Sequence, residues 1–323
     1  MTHADALMAA TEQALEKPKP LKTYGPGIHY DVPFAEYITI DAINGSTLAE
    51  VLKKTAGHAK AQLDVDTAPL KFGRLLHLAI LEPASFETGV RCLPPKPPNR
   101  PSDKQRNAAN KSESTLRSIA FWDAWNADPR EEISVKEKVD LQGMMGSIRR
   151  NQCINYVTGG QAEVTMVWVD KRTGLLCKGR LDFLQKQPWA DSITDIKSSA
   201  DLVRADKWRR TVENFWYHLK AAFYVDGYET LTGEKPFFTW LAIEKSAPYF
   251  SKPWQMDTSP EGLTYRAGQN LYRKALDIWA ECLKTNQWPA YGDEVEEIEL
   301  DDYQLGRAGV SRYEVPQPKE RSV

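Results

Sequence analysis

Between Gly160 and Lys197 the chain changes its period from that of a helix to that of a strand, and the rest of the sequence has to be arranged around that change. Val164, Met166 and Trp168 alternate with Glu163, Thr165 and Val167, the two-residue repeat of a half-buried strand. Lys171-Arg172-Thr173-Gly174 reads as a hairpin turn. A second strand follows over about Leu175 to Leu184, and a third, shorter one over Ser192 to Ile196, so the segment is a meander.

Helical periods lie on both sides of it. Ser46 precedes TLAEVLKKT, with Leu48, Val51 and Leu52 on one face, which places a helix start near Thr47. FGRLLHLAILEP is almost unbroken in apolar residues and reads as a buried helix that contains His77 and that Pro83 helps to stop. Two amphipathic helices are expected over 112–126 and 134–152, the second carrying Val135, Val139, Leu141, Met145 and Ile148. After the meander, TVENFWYHLKAAFYVDGYETL reads as one long aromatic-rich helix ending before Gly233. FFTWLAIEK and YFSKPWQMD then look like strands, and a last helix spans about Pro260 to Lys284. Strands set among helices in this order predict an α/β fold with a mixed central sheet flanked by helices.

The polar residues 1–24, with their KPKP run, are expected to be a flexible arm, and 25–323 a single domain. Residues 93–111, with five prolines and five basic side chains, read as an exposed excursion from it. A hydrophobic content of 41% supports a substantial core. No stretch of 18 apolar residues occurs, so no membrane span and a cytoplasmic location are expected. Cys92, Cys153, Cys177 and Cys282 are dispersed and read as reduced thiols, neither a disulfide framework nor a clustered metal site. A formal net charge of −2 gives no global positive field, so any affinity for nucleic acid has to come from charge gathered on one surface.

The chemistry concentrates in the meander. Asp195 and Lys197, two apart on a strand, share a face, while Ile196 points into the core. With Asp182 on the strand paired beside them, two carboxylates converge next to one ammonium, a setting suited to Mg2+ held through oxygen. Asp and Lys at this spacing are also common on solvated strands. Asp182 between Leu181 and Phe183, and Asp195 between Thr194 and Ile196, sit where aspartate is disfavoured unless something requires it.

The succession G-R-L-L-H-L-A-I-L-E-P, A-E-V, G-R-L-D, D-I-K and Y-H-L-K-A-A-F-Y, over roughly residues 40–285, resembles the exonuclease cores of the RecE, lambda exonuclease and RecB-type nucleases of the PD-(D/E)XK superfamily, RecE most of all. The resemblance implies a restriction-endonuclease-like core and a metal set of His77, Asp182, Asp195 and Ile196. Glu163 completes the metal site with His77, and catalytic roles then fall to Asp182, Asp195, Lys197, Glu163 and Lys220. Without the resemblance, His77 in its apolar run reads first as a core histidine with one satisfied hydrogen bond, and Glu163 equally as a solvated edge residue. Lys220 stands where RecB-type nucleases carry a glutamine four residues before an aromatic, here Tyr224; it can reach a phosphate but cannot accept a hydrogen bond.

The resemblance further implies Mg2+-dependent hydrolysis of linear double-stranded DNA from 5′ to 3′, leaving a 3′ overhang for recombination. Mn2+ is expected to substitute, because an imidazole ligand suits it. A homo-oligomeric ring, trimer or tetramer, and a single-strand-annealing partner of the RecT or Red-beta kind belong to the same implication. DNA contacts are expected at Arg204, Lys207, Arg209 and Arg210, four cations in seven residues, and at Tyr217 and His218. Ser46 is read as a helix cap or as part of a pocket for a terminal phosphate. Two other readings stay open. One is a RecB- or Cas4-like nuclease of a helicase or adaptation complex, although the cysteines lack an iron–sulfur spacing. The other is a catalytically inert DNA-end-binding module.

Overall fold

The computed structural model describes residues 23–61, 67–292 and 294–311. Residues 1–22 of the expected N-terminal arm lie outside them. The chain falls into two units, Met1–Trp288 and Pro289–Val323. In the first unit the elements are, in order, β1 (Gly27–His29), α1 (Phe34–Thr39), β2 (Ile43–Asn44), α2 (Gly45–Lys53), α3 (Ala56–Lys60), α4 (Ala68–Leu81), α5 (Pro83–Gly89), β3 (Val90–Cys92), α6 (Asp103–Asn107), α7 (Glu113–Ala127), β4 (Glu131–Ile133) and α8 (Val135–Arg150). A 3-10 turn at Cys153–Val157 leads to β5 (Gln161–Val169), β6 (Leu176–Gln185), β7 (Ser192–Ser199), α9 (Ala205–Asn214), α10 (Tyr217–Thr232), β8 (Phe237–Glu244), β9 (Ser251–Met256) and α11 (Leu263–Thr285). The second unit holds α12 (Asp302–Arg307), started by a capping box between Asp301 and Gln304.

The expected meander is β5, β6 and β7, all antiparallel neighbours, and it forms the middle of a seven-stranded sheet in the order β1-β5-β6-β7-β8-β9. β7 and β8 run parallel and β2 runs parallel to β6, so the sheet is mixed, as the alternation of strands and helices predicts. Each face is covered. On one, Leu48, Phe223, Tyr228, Tyr265 and Leu276 from α2, α10 and α11 pack on Trp168, Ile193 and Trp240. On the other, Leu75, Leu76 and Ala79 of α4 and Leu141, Met144 and Ile148 of α8 pack on Ile196, Leu241 and Ile243. The α10–α11 contact is close enough that a Cβ on Gly268 would lie 2.1 Å from the carbonyl oxygen of His218.

Four local expectations need correction. Ser46 is not the cap of α2: Asn44 is, its Oδ1 accepting from the N–H groups of Ser46 and Thr47 at 2.9 Å each. The long aromatic helix is two, because Trp216 adopts a left-handed conformation (φ +58°) and turns the chain between α9 and α10. In α8, Leu141 and Ile148 are buried as expected, but Val135 and Val139 are about half exposed, and Asp140, Met144 and Ser147 complete the buried stripe. Asp140 can take that place because its carboxylate is satisfied by Lys136 and by the hydroxyl of Tyr249. Within 93–111 the excursion carries α6, and it is tied back by Trp122, whose indole N–H donates to Pro98 O at 3.0 Å while its ring stacks with Arg100.

Candidate active site

On the edge away from β5, β6 is shared between two partners, and the site lies where they part. Toward its end it pairs with β7, through Gln185↔Ser192, Leu184↔Ile193 and Phe183↔Thr194, and there the ladder stops. Toward its start it pairs with β2, at Cys177 and Lys178. In the gap, Asp182 replaces the missing strand partner: its Oδ2 accepts the main-chain N–H of Ile196 at 2.6 Å. A buried strand amide that would otherwise be unpaired is thereby satisfied by a carboxylate.

On β7, Asp195 and Lys197 share one side, and Ile196 goes to the opposite core, as their spacing requires. Lys197 Nζ lies 2.6 Å from Asp195 Oδ2 and 3.8 Å from Asp182 Oδ2, and it donates to Ile196 O at 3.1 Å. Asp182, Asp195 and Lys197 are therefore brought together as the sequence predicts. Burial disfavours the Lys197 charge, but Asp195 and Asp182 outweigh it and push the ammonium pKa up. Burial raises the Asp195 carboxyl pKa, with Lys197 pulling against it and Asp182 adding to it.

Glu163 lies opposite Asp182 in the register set by Ala162↔Phe183 and Val164↔Leu181. Its φ of +53° is left-handed in mid-strand, a conformation that costs about 1–3 kcal/mol outside glycine. Its carboxylate is 3.9 Å from His77 Nδ1 and pairs with the Nε of Arg180. Burial, then the charge of Asp182, raises its pKa. His77 reaches in from α4, with Nε2 3.6 Å from Asp182 Oδ2 and 3.1 Å from Ile196 O. A carbonyl only accepts, so Nε2 is the donor to Ile196 O, and Nδ1 faces Glu163. His77 thus belongs to the polar cluster and not to the apolar core around Leu75, Leu76 and Ala79.

Glu163, Asp182, Asp195, the Ile196 carbonyl and His77 offer mostly oxygen donors, the set that suits a hard divalent cation. The three carboxylates face the cations of Lys197 and Arg180 and the imidazole of His77. Among the described residues no three His, Cys, Asp or Glu side chains already converge at ligand distance. Their oxygens are engaged by Lys197, Arg180 and Ile196 N–H instead.

Lys220 approaches from α10, where burial and the nearby charge of Lys197 hold its pKa down, to about 8. A Cβ on Gly45 would meet Lys220 Cγ at 3.4 Å, so the start of α2, with exposed Ser46, comes against α10 at this lysine. Two of the N–H groups that an anion would need there are occupied by Asn44. Tyr217 stacks beside Lys197, its ring centre 5.5 Å from Nζ. His218 lies apart from this cluster: Nδ1 donates to Val212 O at 3.3 Å, and the ring lines a groove with Trp208, Arg209, Trp240 and Trp254. Arg204 pairs with Asp206 and Lys207 with Asp201, whereas Arg209 and Arg210 are exposed and carry no ion pair among the described residues.

The site opens into a cleft of about 480 Å3 that His77, Glu163 and Asp182 share with Arg74, Glu82, Tyr224, Arg180, Phe34 and Tyr37. The linear pattern assigns no role to the last three. Arg180 was visible in the G-R-L-D motif beside Asp182, but Phe34 and Tyr37 reach the cleft only through tertiary folding of the chain's start.

The sequence matches the model of a PDDEXK-like domain of unknown function (DUF3799) over residues 42–301. No curated protein matches. Among solved structures, a protein from Eubacterium rectale described as a putative exonuclease is similar at a TM-score of 0.49 and 13% identity, covering 86% of this chain and 98% of that one. The structure of SSO0001 is similar at a TM-score of 0.27 and 11% identity, covering 51% and 68%.

Proposed function

The chain belongs to the PDDEXK-like family, and on that footing we propose that it is a divalent-metal-dependent nuclease that hydrolyses phosphodiester bonds of linear double-stranded DNA. The observation that carries this reading is the meeting of Asp182, Asp195 and Lys197 at the fork of β6 and β7, with Nζ 2.6 Å and 3.8 Å from the two carboxylates.

In this reading Asp182, Asp195 and the Ile196 carbonyl, with His77 and Glu163 beside them, would hold Mg2+, or Mn2+ in its place. When bound, the ion offsets phosphate charge and lowers the pKa of a water. Lys197, kept protonated by its two carboxylates, donates a hydrogen bond to a phosphate oxygen or to the attacking water. The water gives up a proton to solvent and forms the new bond to phosphorus as the bond to the leaving sugar oxygen breaks, and that oxygen takes up a proton from solvent. Tyr217 flanks the Lys197 ammonium, its ring centre 5.5 Å from Nζ. Lys220 contributes a cation directed at the phosphate, where a glutamine would have supplied an acceptor.

We extend the RecE resemblance to 5′ to 3′ digestion, a 3′ overhang, a closed ring and a single-strand-annealing partner. The deciding experiment digests linear duplex labelled at either end, with Mg2+, Mn2+ or EDTA. Expected is metal-dependent loss of the 5′ label as mononucleotide ahead of the 3′ label. Equal loss from both ends would remove the polarity, and no product with either ion would remove the nuclease reading.

A further inference from the structure

α1 is a helix without a core. None of its six residues is buried, so it lacks the roughly 1.5–3 kcal/mol that each fully buried large apolar side chain supplies elsewhere. Two cations of β6 hold it instead. Lys178, only 4% exposed, donates from Nζ to Ile40 O at 2.7 Å, Tyr37 O at 3.0 Å and Ile38 O at 3.1 Å, satisfying carbonyls at the end of the helix. Arg180 donates to Val32 O at 2.7 Å, just before the helix starts. Both flank Gly179 in the same strand that carries Asp182. The three carbonyl hydrogen bonds offset the cost of burying the Lys178 charge and fix the short helix over the cleft.

What α1 presents to the cleft is aromatic. Phe34 and Tyr37 stack with ring centres 6.2 Å apart and planes inclined by 28°, and both line the cleft with His77, Glu163 and Asp182. Tyr37 is half-buried over Lys178, whereas Phe34 is 53% exposed. The Arg180 guanidinium lies 5.9 Å and 5.8 Å from the two ring centres while paired to Glu163. An exposed aromatic face, fixed from below by a cation and continuous with a phosphodiester site, suits a planar, uncharged ring joined to a phosphate.

We propose that Phe34, set on α1 and backed by Tyr37 and Arg180, is a stacking platform for one unpaired nucleobase of the strand whose phosphodiester enters the Asp182–Asp195 site. This rests on the nuclease reading and adds to it a requirement that the base next to the cut be free of its pair. Stacking is tolerant of sequence, because every base has a π-face.

The test is a binding cycle that needs no cutting. A short single-stranded oligonucleotide is titrated in EDTA and again with Ca2+, and a single abasic site is moved through it position by position, against the wild type, Phe34→Ala, Phe34→Tyr and Phe34→Trp. Base–aromatic stacking predicts a loss of about 5- to 160-fold for Phe34→Ala. The same loss is expected for one abasic position in the wild type, with no further loss when the two are combined. Phe34→Tyr and Phe34→Trp should restore the affinity. Additive losses at every position, or an unchanged affinity in Phe34→Ala, would overturn the proposal, as would absence of any binding by the wild type. Unaltered thermal unfolding of Phe34→Ala, expected for an exposed side chain, excludes a folding defect. Coupling without any cleavage of end-labelled duplex would sink the nuclease reading and keep the platform; normal cleavage without coupling would do the reverse.

Discussion

The carboxylate of Asp182 accepts the Ile196 N–H at 2.6 Å, so one side chain both closes the strand fork and faces the cleft. These two duties separate by substitution. Asp182→Ala leaves a buried amide without an acceptor, at a cost of about 1–3 kcal/mol, and so cannot leave the fold untouched. Asp182→Asn keeps an oxygen for the amide and loses the charge. Expected are loss of cleavage in both variants and loss of stability only in the alanine, read by denaturant unfolding beside the digestion assay. An asparagine variant that still cuts would remove Asp182 from the metal set.

Lys197 and Asp195 are mutually dependent. Removing Lys197 alone strands the Asp195 carboxylate, and breaking a buried pair in this way costs up to about 3–5 kcal/mol. The double variant Asp195→Asn with Lys197→Met removes both charges and is expected to recover most of that stability while remaining inactive. Recovery of activity along with stability would show the pair to be structural.

The parts of the molecule set by local pattern were legible in the sequence: the period-two meander, the face shared by Asp195 and Lys197, and the inward turn of Ile196. Other features depend on contacts that a linear pattern does not carry. Asn44 and Ser46 are both good caps two residues apart, and nothing local decides between them. Trp216 breaks a helical run with neither glycine nor proline to mark the corner. Asp140 occupies a buried stripe because Tyr249, far along the chain, supplies a hydroxyl. Phe34 and Tyr37 join the site only because Lys178 and Arg180 reach back to the start of the chain.

A structural pH dependence is expected at the entry to β7. Asp191 is bound by Lys186 Nζ at 2.6 Å and by the Tyr228 hydroxyl. Burial acts to raise its pKa, but those two hydrogen bonds and the Lys186 charge prevail and hold it below the usual carboxylate range. A carboxyl depressed on folding contributes stability that is complete above its unfolded value, near 4, and lost as pH falls through the folded value. Lys186, raised on folding, contributes below its ordinary value and loses that contribution as pH rises past it. The Tm difference between wild type and Asp191→Asn should therefore be flat from about pH 6 to 9 and shrink below about pH 4. A difference that persists unchanged in acid would mean that the carboxylate charge plays no part.

The basic face of α9 divides into engaged and available cations, and DNA binding should respect the division. Arg204 and Lys207 already face Asp206 and Asp201, so a phosphate would have to displace an acid to reach them. Arg209 and Arg210 are exposed without such partners among the described residues, on a helix whose opposite side is anchored by Trp208 and Val212. Removing one cation that neutralises a phosphate flattens the log–log salt dependence of duplex binding by about 0.9. Replacing Arg209 and Arg210 together by glutamine should therefore lower the slope by about 1.8, equally for every sequence, since cations on phosphates read no base identity. The matching change at Arg204 and Lys207 should move it less, because the freed Asp206 and Asp201 add repulsion but release no counterions. Salt titrations in EDTA on two unrelated duplexes read both quantities, and a slope unmoved by the Arg209 and Arg210 change would place the duplex on another face of the molecule.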